Sequence, residues 1–96
     1  MAGRIRAGRN AWYEALQAAR DRVAVAQRQC PLKSAPWKVA VAAHLKATTD
    51  VSNRWLAAEL DMGSHVYVSK HVGNLRLGRA PAAAELLRAL EVKGKA

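Results

Sequence analysis

Ninety-six residues are enough for one small domain with a modest core. Lys and Arg total 16 against 7 Asp and Glu, a formal net charge of +9, and self-repulsion of that size is usually offset by a polyanionic partner. The single cysteine excludes an internal disulfide and fits a reducing compartment; no apolar run nears the about 18 residues of a membrane span, and no signal-peptide core follows the basic start.

A cytoplasmic location without a membrane partner is therefore expected. The basic residues are spread from Arg4 to Lys95, and no segment joins a basic face to a large Trp- or Leu-rich one, as a membrane-surface helix would. DNA is the expected partner; no cofactor, metal or small-molecule substrate is indicated. Hydrophobic residues make up 51% of the chain, much of it alanine, and phenylalanine is absent. The core must then be close helix-on-helix packing around a few large anchors: Trp12, Trp37, Trp55 and the leucines.

Residues 1–9 contain three arginines, two glycines and no helical period. They read as a basic flexible arm, either solvated or laid along DNA phosphates or a minor groove. Residues 10–30 predict a long helix: Asn10 can cap it, and Trp12, Leu16, Ala19, Val23 and Ala26 share one face. That face needs either the rest of the chain or a second copy, which leaves a homodimer open. Cys30-Pro31 ends the helix, because proline disfavours helix in the residue before it. Cys30 itself reads as a half-buried small side chain, with no activating base nearby in sequence. Ser34 as cap and Pro36 in the first turn open the next helix, which runs to about Ala47 with Trp37, Val41 and Leu45 on one stripe. Ala40, Ala42 and Ala43 permit close packing, and Thr48-Thr49-Asp50 makes the following turn.

The stretch from Val51 to Arg76 organises the rest. Ser52 caps a helix in which Trp55, Leu56 and Leu60 form an apolar stripe with Ala57 beside it. Asp61-Met62-Gly63-Ser64 breaks the pattern, Gly63 supplying a positive φ and Ser64 a new cap. Val68, Val72 and Leu75 then recur at i, i+4 and i+7, and the other face carries His65, Ser69, Lys70, Asn74 and Arg76. This is a helix-turn-helix pattern, its second helix at residues 64–75 shaped for a DNA major groove. The corner is about one residue longer than in the commonest phage-repressor form; the competing reading is a plain αα-hairpin with a wet polar face. Gly78 stops the helix. Pro81 opens a short last one, residues 80–92, whose Leu86, Leu87 and Leu90 ridge is expected to seal the core, and residues 93–96 are a basic tail. The fold class is all-α: a trihelical helix-turn-helix core at residues 34–79, a long N-terminal helix and a short C-terminal one.

Roles follow from position. Ser64 and His65 open the recognition helix, where free backbone N–H groups favour phosphate. Lys70 suits guanine or a phosphate and Asn74 suits adenine, with Ser69 on the same face. Tyr67 is placed either against a sugar or thymine methyl or half-buried on the preceding helix. Arg54, Arg76 and Arg79 are the expected phosphate contacts, which set register without reading sequence. Arg54 stands against a helix N-terminus, where a cation is misplaced unless an anion lies outside. Gly73 costs about 1 kcal/mol relative to alanine and either permits close approach to DNA or ends the helix early. Trp37 and Trp55 fall on apolar stripes and read as core anchors, and His71 as a boundary histidine, not a metal ligand.

Between Lys38 and Arg76 the chain resembles the C-terminal helix-turn-helix of bacterial REP-associated tyrosine transposases. The likeness lies in the apolar-alanine helix Val39–Leu45, Thr48-Thr49, Trp55-Leu56-Ala57, the Met62-Gly63-Ser64 corner and Val68-Ser69. It spans about two fifths of the chain and accounts for the longer corner. It implies binding to a DNA hairpin or repeat beside a mobile element. The family's catalytic half, a His-hydrophobic-His metal pair and an attacking tyrosine, has no counterpart: His44, His65 and His71 are never two residues apart, and Tyr13 and Tyr67 lack a local metal site. A binding domain without its own catalysis is expected. The rival is a basic helical protein-interaction module or transposase accessory subunit, docking through residues 10–29 and the Leu86–Leu90 ridge.

Overall fold

The computed structural model describes residues 9–23, 25–29, 32 and 35–94. The basic arm before Arg9, Cys30, the Ser34 cap and the last two tail residues lie outside the described residues. The described chain is a small all-α bundle: α1 (Arg9–Asp21), α2 (Val25–Arg28), α3 (Pro36–Thr48), α4 (Asn53–Glu59), α5 (His65–Arg76) and α6 (Pro81–Gly94). No helix among the described residues is long and apolar enough to cross a membrane.

α3 is the centre, packed against α1, α5 and α6. Its burial goes beyond the one expected stripe: Trp37 to Ala43 are all buried, and so is Leu45. A helix this apolar on every side survives only when surrounded, and its alanines at positions 40, 42 and 43 let neighbours approach closely. Pro36 stands in its first turn as expected, but the capping position is Ala35, which has no side chain to cap with. The far end is closed by threonines. Thr48 Oγ1 donates to the His44 carbonyl at 2.9 Å, and buried Thr49 Oγ1 donates to the Leu45 carbonyl at 2.8 Å. Thr49 Oγ1 also accepts the Val51 N–H at 3.2 Å, which steers the chain into α4.

The corner between α4 and α5 is closed by backbone geometry. Ser52 Oγ accepts the Trp55 N–H at 3.1 Å, and Ser64 Oγ accepts the Tyr67 N–H at 3.2 Å, so both caps stand where the sequence places them. α4 ends in a Schellman motif: Asp61 takes a left-handed conformation at φ 52°, and the Met62 N–H reaches back to the Ala57 carbonyl at 2.9 Å. Met62 then disappears into the core, fully buried. Gly63 follows at φ 93°, a second left-handed residue. α5 ends the same way, with Gly78 at φ 78° and the Arg79 N–H on the Asn74 carbonyl at 2.9 Å.

Four expectations need correction. The helix expected over residues 10–30 is two segments. Arg22 and Val23 donate to the carbonyls three residues back, Ala19 and Arg20, and this tightened turn ends α1 at Asp21. Val23 is thereby buried, and Arg22 Nη1 reaches the Leu90 carbonyl at 3.2 Å. α1 therefore has only 13 residues, and α6, with 14, continues to Gly94, two residues past its expected end, because no breaker intervenes after Pro81. α5 runs from His65, with Ser64 its cap as expected, to Arg76, one residue past the expected end at Leu75. Gly73 does not end α5, which continues three residues past it.

α1 finds its partner within the chain. Leu16, Ala19 and Val23 are buried, and Trp12 and Tyr13 meet the half-buried Trp55 edge-on at 5.5 and 5.1 Å between ring centroids. Trp12 Nε1 donates to Asp50 at 2.9 Å and the Tyr13 hydroxyl to Glu59 at 3.0 Å. α6 seals the other side through buried Ala83 and Leu90.

Two glycines of the same stretch should respond oppositely to one substitution. A Cβ added at Gly73 or Gly78 meets nothing within 4 Å, so only backbone conformation decides. Gly73→Ala, inside α5, should stabilise by about 0.5–1 kcal/mol. Gly78→Ala, at φ 78°, should destabilise by about 1–2 kcal/mol. Thermal unfolding should show midpoints moving apart by several degrees; a shift in the same direction for both would mean that the end of α5 is misplaced.

Candidate nucleic-acid interface

Helix α5 has two unlike sides. Val68, Val72 and Leu75 are buried, fixing one side against the core. His65, Val66, Ser69, Lys70 and Arg76 are exposed on the rest. No acidic residue lies anywhere in α5, and Arg76 stands in its last turn, where a cation complements the helix dipole.

The N-terminus of α5 borders a surface depression of about 370 Å³. Arg54, Ala57 and Ala58 of α4 line it together with Gly63, Ser64 and His65. This convergence follows from the corner: the left-handed Asp61 and Gly63 fold α5 back so that its first turn faces the exposed side of α4. The first turn leaves the N–H groups of His65 and Val66 without an acceptor in the helix. A guanidinium, a capping hydroxyl and open N–H groups around one hollow suit a phosphate oxygen chemically.

The other expected contacts separate. Ser69 and Lys70 are exposed on the outer side of α5, while Asn74 is half-buried at its edge and its carbonyl holds the Arg79 N–H. Arg76 and Arg79 are exposed at the far end of the helix. Tyr67 is half-buried against the core and its ring lies against His71, 4.3 Å between ring centroids. Trp37 is buried and Trp55 is covered by Trp12 and Tyr13, which makes both core anchors as expected.

Three features of this region were missed from sequence. Asp61, and not only Gly63, carries the left-handed turn; aspartate tolerates that conformation better than most residues. Lys38 is buried to 5% exposure and its Nζ donates to the Asp61 carbonyl at 3.3 Å, binding the corner to α3. Val66 is 63% exposed, a large apolar side chain on the outer side of the helix.

The histidines divide by burial. Half-buried His44 has its pKa lowered, first by loss of solvent and then by Arg22, with Glu91 pulling partly back. His71 is lowered for the same first reason and then by Lys70, and its Nε2 is buried with no hydrogen-bond partner. No group of three or more His, Cys, Asp or Glu among the described residues could hold a metal ion.

The sign of the pH effect follows. Both histidines titrate below their ordinary 6.5 when folded, so the unfolded chain binds more protons as pH falls. Their contribution to stability is complete above pH 6.5 and is lost as pH drops through that value toward the folded pKa values. Urea midpoints should fall between pH 7.5 and 5.5, and His44→Gln with His71→Gln should flatten the slope; a midpoint that rises on acidification would contradict the burial of both rings.

No family model matches the chain, and neither a curated protein nor a solved structure gives a significant match to it.

Proposed function

We propose that the chain is a DNA-binding protein in which α5 enters a DNA groove while Arg54, Arg76 and Arg79 hold phosphates, with no catalysis of its own. One observation carries this reading. α5 has twelve residues and no carboxylate, its apolar side is used up by the core, and its exposed side begins at a hollow shared with Arg54. The formal charge of +9 supplies the long-range attraction. The resemblance to REP-associated tyrosine transposases supports a hairpin or repeat beside a mobile element as the DNA. The rival interaction-module reading needs the apolar faces of α1 and α6. Those faces are largely covered within the chain: Leu16 is 3% exposed, Ala19 2% and Leu90 2%.

The test is a titration of fluorescent hairpin and duplex DNA at several salt concentrations. With about 4–6 phosphates contacted, the slope of log K against log salt should be about −4 to −5. Arg54→Ala should weaken all sequences nearly equally, whereas Lys70→Ala should narrow the gap between preferred and random DNA. Affinity unchanged between low and moderate salt would defeat the proposal. The two variants behaving the other way round would mean that the roles of α4 and α5 are exchanged.

A further inference from the structure

Resting on that DNA reading, we propose that Val66 reads thymine through its 5-methyl group, one helical turn before the base or phosphate held by Lys70.

Val66 is 63% exposed while Val68, Val72 and Leu75 are buried. At about 100° per residue, Val66 lies some 200° round the helix from Val68, and so faces away from the core. A β-branched residue at an exposed helical position loses helix propensity, and apolar area left in water gains nothing from the fold. What it offers is rigidity: with χ1 nearly fixed, its two methyl groups point in one direction before any ligand arrives. The major groove has one apolar mark that such a group can recognise, the methyl of thymine.

The surroundings fit that role. Lys70 follows at i+4 on the same side, about 6 Å along the axis, which corresponds to roughly two base-pair steps. Gly73 comes next along this side, and open space surrounds the position its Cβ would occupy, so the helix can approach a partner there by its backbone. No carboxylate in α5 opposes the approach of phosphates. Tyr67, the aromatic candidate for the same contact, is half-buried with its ring on His71. That leaves Val66 as the exposed apolar side chain in the first turn of α5.

The experiment uses the full chain. Duplexes are first selected from a random pool. In the tightest one, each thymine is then replaced in turn by deoxyuridine, which lacks only the 5-methyl group. Loss of one buried methyl corresponds to about fourfold in affinity. The expected result is a loss of about fourfold at one thymine, no such loss for Val66→Ala, and a thermal midpoint of the variant that does not fall. Equal affinity for every deoxyuridine duplex overturns the assignment but leaves DNA binding standing. So does a Val66→Ala protein that still loses fourfold at the same thymine. Selection that yields no preferred duplex overturns it as well. No binding to any DNA at low salt removes the DNA reading and this assignment together.

Discussion

Five residues between Glu59 and His65 decide where the functional surface lies. Two of them, Asp61 and Gly63, take left-handed conformations. Met62, between them, donates its N–H to Ala57 and buries its side chain completely. Buried Lys38 reaches from α3 to the Asp61 carbonyl. The corner is thus pinned from within by an apolar side chain and from α3 by a cation. Without these two restraints Arg54 would no longer be held beside Ser64 and His65 around one hollow.

The remaining architecture serves that corner. α3 can pass through the middle of so small a bundle because its alanines let α1, α5 and α6 come close without large side chains. The aromatic joint of Trp12, Tyr13 and Trp55 clamps α1 across α4, and its two side-chain hydrogen bonds reach Asp50, before that helix, and Glu59, its last residue. A seven-residue helix such as α4 is too short to persist in isolation. Its direction comes from this clamp and from the buried Leu56 and Ala57.

What the sequence makes legible is what is local. Ser52 and Ser64 cap three residues ahead, Gly78 closes its own helix, and the Val68, Val72 and Leu75 period states which side of α5 is inside. All these interactions close within about one turn, so residue type and spacing suffice. The break after Asp21 was not legible, because Leu16, Ala19, Val23 and Ala26 keep a helical period through it, and the turn depends on distant contacts such as Arg22 with Leu90. Trp12 with Asp50 and Tyr13 with Glu59 are 38 and 46 residues apart, beyond any periodic pattern. At the candidate site the polar residues were legible as a face. Val66, some 200° from Val68, follows from the same period, whereas Tyr67 stands about 100° from Val68, at the boundary where only packing shows which way a side chain turns.

The size of α5 limits what one copy can read. Twelve residues span about 18 Å, or roughly five base-pair steps. The non-ionic groups available over that length are few: Val66, Ser69 and Asn74 beside Lys70. Each good base contact discriminates by about 1–3 kcal/mol, whereas the positive charge attracts every sequence alike. On the proposed DNA reading, a chain this basic would bind any sequence appreciably, and its preference would have to come from a handful of contacts against that background. Selectivity beyond a short site has to enter through the shape of the DNA, as a hairpin provides, or through a second reading element. Under that proposal the interface would read structure first and bases second.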